Sequence, residues 1–154
     1  DCALQSGRNI YLIAVDDFHT DPEKDIDRGA IVINSSCSAQ ELTVQDIASA
    51  LKSGNFFSIG RRNALDPVPP IFTNISIQGH SIVVEMDKKV DIEFITNQHN
   101  CYISGNQNYS QIVKNSEIAK YDVQQGDKYI RIRAVYTENT NKSYAWSNPI
   151  YVIR

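Results

Sequence analysis

The sequence has few cysteines, no long hydrophobic run and no excess of positive charge. Its three cysteines, Cys2, Cys37 and Cys101, are an odd number at wide spacing, and no C-x-x-C motif occurs. This pattern disfavours a disulfide framework and a zinc-thiolate site. We therefore interpret the cysteines as small buried hydrophobic residues and slightly favour a reducing, cytoplasmic compartment over secretion.

The distribution of apolar and charged residues limits the possible partners. The longest apolar run, residues 10–15, is far shorter than the roughly 18 residues that span a bilayer. The net charge is −3, and the 15 lysines and arginines are spread along the chain. No membrane and no nucleic-acid partner is therefore expected. Because the 154 residues begin at Asp1 without a Met, we interpret them as a piece of a longer protein.

The first 62 residues carry a pattern typical of an α/β unit. Residues 10–15 and 30–33 are continuous apolar runs, as in strands that are covered on both faces of a parallel sheet. Residues 55–59 form a further short strand-like run after a helical segment. These features predict about three strands and one helix.

The predicted helix covers residues 43–52 and has marked ends. Its apolar residues recur at i, i+3, i+4 and i+7 and so share one face. Thr43 and Asp46 have the spacing of a capping box, and Gly54 follows the last turn, where a left-handed residue is favoured.

The pattern changes after a proline-rich segment, residues 63–70, which we interpret as a stiff connector. Beyond it, residues 90–94 and 130–134 alternate between apolar and charged side chains, as in strands with one buried face. Shorter strands are predicted at residues 71–77, 81–86, 101–104 and 150–153. The sequence thus predicts an α+β fold in two parts: an α/β domain at 1–62 and an antiparallel, immunoglobulin-like β-sandwich at 71–154.

A candidate metal-ligand pair follows the first predicted strand. Asp17 and His19 offer a carboxylate oxygen and an imidazole nitrogen two positions apart. Functional groups collect at the carboxyl ends of parallel strands, and both donor types bind divalent metals. The alternative is a solvated turn in which Asp16 or Asp17 caps backbone amides.

The segment "LQSGRNIYLIAVDDFHT…RGAIVINSSCSAQELTVQDIASALKSGNFF" resembles the last part of a PHP domain, of the polymerase and histidinol phosphatase superfamily. In that family a motif of the type S-D-A-H supplies an Asp and a His to the metal site, and the closing helix fits "T-x-E-x-I" and "L-x-x-G-x-x-F". The end of the chain, "SNPIYV", is similar to the close of the β domain that follows the PHP core in one branch.

This resemblance implies a metal-dependent phosphoesterase or related hydrolase that uses Zn, Mn or Fe. Asp17 and His19 match the ligand pair, and Asp16 stands where Ser or Thr is usual, so it could raise metal affinity or accept a hydrogen bond from a ligand. The family's other ligands would lie in an upstream PHP core, the expected partner of this chain. Since a catalytic zinc site needs about three protein ligands, we expect this piece by itself to be inactive and to bind metal weakly if at all.

Other candidates carry weaker signals. Arg131 and Arg133 share a strand face and could contact an anion or a carbohydrate, but a solvated sheet face is the alternative. His80 and His99 lie in turn-like polar segments typical of exposed histidines, and Trp146 is predicted to belong to the core. A rival interpretation of the whole chain is a non-catalytic β-sandwich binding module, and oligomeric state is open.

Overall fold

A computed structural model describes residues 2–17, 19, 25–35, 37–98 and 110–153. Its described helices and strands have the following bounds: α1 Cys2–Gln5, β1 Gly29–Ile33, α2 Val44–Ser53, β2 Phe56–Arg61, β3 Phe72–Gln78, β4 Ser81–Thr96, β5 Gln111–Asp122, β6 Tyr129–Glu138, β7 Asn141–Ser147 and β8 Ile150–Tyr151. No helix in these ranges is long and apolar enough to cross a membrane.

The strands join in one sheet that curls into a half-barrel. The order is β1-β2-β7-β6-β4-β3, with β5 added to β4 and β8 added to β6, and every described pairing is antiparallel. Strand β4 is the longest, and its pairing register with β5 shifts between Glu85 and Val90. Such irregularities bend a strand, so β4 pairs with β3 along its first half and with β6 along its second.

The predicted fold class is therefore wrong. Strands account for 49% and helices for 11% of the described residues, so the fold is β-rich and not an α/β remnant followed by a sandwich. Strands β1 and β2 were assigned to a parallel sheet, but they pair antiparallel. Strand β2 also pairs antiparallel with β7, where Phe57 lies opposite Ser147. An apolar run favours burial of both faces, but β1 is only partly buried, and the run does not show the direction of the neighbouring strand. The domain boundary at residues 63–70 stays a prediction.

The core lies on one face of the curled sheet. Its centre consists of alternate residues of β4 and β6, among them Ile92, Phe94 and Ile132, which are fully buried. Phe57 of β2 and Phe72 of β3 meet edge to face at 5.1 Å between ring centroids. In the strand order β2 is second and β3 is last, so this contact joins distant strands and helps hold the curl.

The capping prediction for the helix is confirmed. Thr43 accepts a hydrogen bond from the backbone N–H of Asp46, and the Asp46 carboxylate accepts one from the backbone N–H of Thr43 at 2.9 Å. Gly54 ends α2 in the left-handed region, with φ of 75°. Bonds from the Thr43 hydroxyl and backbone hold the pKa of Asp46 below its ordinary value.

Several strand predictions also match described strands. Residues 30–33, 55–59, 71–77, 81–86, 90–94 and 130–134 fall largely in β1, β2, β3, β4 and β6, and residues 62–71 are irregular as the prolines require. The predicted strand at 10–15 is wrong, because residues 8–17 belong to no strand. Strands β5 and β7 were not predicted, and the prediction for 101–104 lies outside the described residues.

Candidate functional site

The candidate site lies where the N-terminal segment, residues 8–17, crosses the sheet. The Ser58 hydroxyl donates to the Leu12 carbonyl at 2.7 Å, and the Leu12 N–H donates to the Asn148 side chain at 2.9 Å. Ser58 alternates with Phe57, which is in the core, so the segment lies against the opposite face. A side chain of β2 and the side chain that follows β7 thus hold this backbone, and no neighbouring strand pairs with it.

The structure brings the predicted metal pair together. His19 Nε2 lies 3.3 Å from Asp17 Oδ1, and the two side chains are 71% and 70% exposed. Asp17 has φ of 52°, a left-handed conformation that is uncommon for a residue with a side chain. The chain therefore turns sharply at Asp17 and presents an oxygen and a nitrogen donor side by side to solvent.

Asp16 points back into the protein and fixes this turn. Its Oδ1 accepts hydrogen bonds from the backbone N–H groups of Arg28 at 2.8 Å and Gly29 at 2.9 Å. The bond from Gly29 contributes most to holding the pKa of Asp16 below its ordinary value. Asp16 thus ties the metal pair to the start of β1.

A second set of contacts stabilises the opposite side of the turn. The Asp25 carboxylate accepts a hydrogen bond from the backbone N–H of His19 at 3.4 Å and pairs with Arg28 at 3.2 Å. Arg61 of β2 donates to the carbonyl and carboxylate of Asp27 and to the Asp66 carbonyl. These contacts link the candidate metal pair to β2.

Asp17 and His19 supply two ligand atoms for a metal ion at this turn. No group of three His, Cys, Asp or Glu side chains suited to one metal occurs within the described ranges. His80 is exposed in the turn after β3, while His99 and Cys101 lie outside the described residues. A metal held by Asp17 and His19 would have several open coordination positions, since zinc and its relatives take four or more ligands.

The predicted arginine face is present but partly neutralised. Arg131 and Arg133 share one face of β6, where they stand opposite Ile95 and Glu93 of β4. Arg133 forms an ion pair with Glu93, whose side chain is 9% exposed. Burial is the main cause that lowers the pKa of Arg131 below its ordinary value.

A pocket that sequence reasoning missed lies on the same side of the sheet. Its volume is about 290 Å³, and its walls are Tyr144 and Trp146 of β7, the backbone at Gly29 and Gly60, and the arginines Arg28, Arg61 and Arg62. Trp146 is half-buried and stacks on Tyr144, so its predicted place in the core is wrong. Because Tyr144 and Trp146 are two residues apart, strand alternation predicts that both rings lie on one face of β7. The sequence does not predict which residues of other strands surround them, because that depends on strand pairing.

The cysteines differ from their sequence interpretation. Cys2 is disulfide-bonded, whereas Cys37 is a free, half-buried thiol 3.0 Å from the Ser35 hydroxyl. The preference for a reducing compartment stays a prediction.

Comparisons with family models, with curated proteins and with solved structures each found no match.

Proposed function

We propose that this chain supplies the Asp17 and His19 half of a divalent-metal site in a PHP-type metal-dependent phosphoesterase. The remaining ligands would come from a PHP core that precedes the chain in the parent protein. The observation that carries this proposal is the approach of His19 Nε2 to Asp17 Oδ1, with both side chains open to solvent.

The way the pair is held supports a role in binding. A metal ligand must be fixed in orientation but free of other strong partners, and the groups around it commonly do the fixing. Here Asp16 and Asp25 take the hydrogen bonds from the backbone of residues 19, 28 and 29. Asp17 and His19 keep their donor atoms available, and a divalent cation between them would replace their mutual contact.

The exposed apolar side chains of the N-terminal segment support a partner at this site. Ile10, Ile13 and Val15 are 43%, 58% and 69% exposed, and Tyr11 and Leu12 exceed a third. Covering such a run gains roughly 25 cal/mol for each Å² of apolar surface removed from water. We propose that the upstream PHP core covers these apolar side chains. A core packed on this segment would also bring the missing metal ligands next to Asp17.

The isolated chain, in this proposal, is not a catalyst. Two ligands leave a bound ion with no defined coordination geometry, so the ion cannot be positioned to activate water. The metal, Zn, Mn or Fe, would supply Lewis acidity when bound in the complete site. The chain's own residues would orient the ion at Asp17 Oδ1 and His19 Nε2.

The test uses the parent protein, with three single variants. Asp17→Asn and His19→Ala should lower the metal content and the hydrolysis of an aryl phosphate together, while His80→Ala, which removes an exposed histidine elsewhere, should change neither. Unchanged metal content and turnover in both Asp17→Asn and His19→Ala would refute the proposal.

A second test uses the isolated chain. Zn²⁺ titration followed by NMR should shift the His19 imidazole signals at high metal concentration, and Asp17→Asn should weaken that response. Metal-dependent turnover of the aryl phosphate by the isolated chain would contradict the proposal that its metal site is incomplete.

A further inference from the structure

We propose that the pocket between β2 and β7 binds a small ligand with a six-membered ring and one carboxylate. The pocket is defined by Tyr144 and Trp146, by the two glycines at its floor and by three arginines at its rim. This inference does not depend on the metal pair, since neither Asp17 nor His19 lines the pocket.

The aromatic wall is suited to a ring. Tyr144 and Trp146 lie two residues apart on β7, and their rings stack with centroids 5.3 Å apart and planes within 14°. Their strand neighbours on β2 are Gly60 and Ser58. Aromatic faces of this kind bind other rings through dispersion and apolar burial.

Gly60 lets the Trp146 ring pack closely on the backbone of β2. A Cβ atom at this position would lie 3.2 Å from the Trp146 ring and 3.3 Å from the Arg28 carbonyl, closer than ordinary contacts. Gly29 pairs with Gly60 across β1 and β2, so two adjacent positions on this face carry no side chain. At Gly29 the Val15 backbone takes the place of a side chain, since a Cβ there would lie 2.5 Å from the Val15 carbonyl oxygen. The floor of the pocket is therefore backbone, and Ala14 and Val15 of the N-terminal segment also line the pocket.

The charge at the rim matches one negative group. Arg28 pairs with Asp25, and Arg61 pairs with Asp27, so these two guanidinium groups are largely neutralised. Arg62 is exposed, and within the described residues its side chain has no ion pair or hydrogen bond. One unpaired guanidinium favours a monoanion, and its planar donors fit a carboxylate.

Arg28 carries a buried donor that lacks a partner. Its Nε has no hydrogen-bond partner within the part of the chain that the structure describes. Because this atom is closed off from solvent, a ligand oxygen would reach it only if the Arg28 side chain shifted. Arg62 is thus the donor that the pocket offers directly to an acidic group.

The size of the pocket limits the ligand to one ring. Sites for drug-sized molecules are about 300–1,000 Å³, and this pocket of about 290 Å³ lies just below that range. A nucleic acid is disfavoured, because the net charge of the chain is −3. The shared chemistry is a carboxylated ring, either a pyranose, as in glucuronate, or an aromatic ring, as in benzoate.

The test uses the single tryptophan of the chain, Trp146, as a reporter. Glucuronate and benzoate are titrated separately, with glucose, benzyl alcohol and acetate as ligands that lack either the carboxylate or the ring. At least one carboxylated ring should give a saturable change in Trp146 fluorescence and a saturation-transfer NMR signal. Its neutral analogue and acetate should bind about tenfold more weakly or not at all.

Variants show whether the pocket is responsible. Arg62→Gln should weaken binding by about tenfold, and the matched control Arg8→Gln, an exposed arginine outside the pocket, should leave it unchanged. Tyr144→Ala should weaken binding in the NMR experiment. Absence of binding by both carboxylated rings, equal binding of the neutral rings, or unchanged affinity of Arg62→Gln would each overturn the proposal.

Discussion

The carboxylate of Asp16 accepts a hydrogen bond from the backbone N–H of Gly29 at 2.9 Å. This bond joins the turn that carries Asp17 and His19 to the first residue of β1. The residue beside the candidate metal pair therefore acts on its position and is not itself a free ligand. Asp16 stands where the PHP resemblance expects Ser or Thr, and the structure places its extra charge on two backbone amides.

Asp16→Ala should weaken metal binding by the pair in the parent protein. Groups that orient metal ligands typically change affinity by about 10–100-fold when removed, and Asp16 holds the turn through two hydrogen bonds. The measurement is the Zn²⁺ dissociation constant of each protein. An affinity equal to wild type would show that the turn keeps its shape without Asp16.

The same carboxylate predicts a pH dependence of stability. The pKa of Asp16 is lower in the folded chain than its ordinary value of 3.8. Its stabilising contribution should thus be complete above that ordinary value and should be lost as the pH falls through the lowered folded value. Tm measured from pH 7 down to strongly acidic pH should fall more for wild type than for Asp16→Asn, and parallel curves would contradict this.

Gly54→Ala should destabilise the chain for two separable reasons. The residue has φ of 75°, which costs an L-amino acid about 1–2 kcal/mol, and its new Cβ would lie 2.5 Å from the Tyr11 ring. In a Tyr11→Ala background the second cause is absent, so the added cost of Gly54→Ala should be smaller. A double-mutant cycle by urea unfolding measures this, and full additivity would show that Tyr11 does not pack on the end of α2.

Asp127→Ala should cost about 2–4 kcal/mol of unfolding free energy. Asp127 is 3% exposed and accepts hydrogen bonds from the Tyr121 hydroxyl at 2.9 Å, the Gln124 N–H at 2.8 Å and the Gln98 side chain at 2.9 Å. Asp127 lies in the turn between β5 and β6, and its removal leaves these three donors without this acceptor.

The matched variant at that turn is Tyr121→Phe. It removes one of the bonds and keeps the stacked contact with Phe94, so it should cost about 1 kcal/mol. Chemical denaturation measures both variants. Equal effects of Asp127→Ala and Tyr121→Phe would show that the other two bonds contribute nothing.

Cys2→Ser should lower stability by about 2–4 kcal/mol under oxidising conditions, because a disulfide reduces the entropy of the unfolded chain. A reductant should lower the Tm of wild type but leave that of Cys2→Ser unchanged. Cys37→Ser, which removes the free thiol, is the control and should keep the response to reductant. A wild-type Tm that is insensitive to reductant would contradict the prediction.

Sequence reasoning succeeded where the signal was local. The capping box of Thr43 and Asp46 and the left-handed Gly54 involve residues within one turn of each other, so their spacing in the sequence fixes their contacts. The alternation at residues 90–94 likewise identified a strand, because side chains alternate between the two faces of any sheet. The second face was expected to be solvated, but Glu93 on it is buried. The short distance between Asp17 and His19 has the same local origin, since two positions of separation keep them close.

Sequence reasoning failed where partners are distant. Residues 10–15 have the composition of a buried strand, yet Ser58 and Asn148 hold their backbone from positions 46 and 136 residues away. Strand β5 was missed because much of its length is exposed and polar, and its pairing with β4 stabilises it.

The sequence by itself determined the capped helix, several strands and the short turn that offers an oxygen and a nitrogen donor. Only the tertiary structure decided that β1 and β2 join β7 in one antiparallel sheet, and that Arg62 and Trp146 line one pocket. The physical reason is that contacts between distant segments depend on the entropy of loop closure and on the register of strand pairing. Local contacts follow from backbone geometry, whereas contacts between β2 and β7 depend on which strands pair, which no short window of sequence contains.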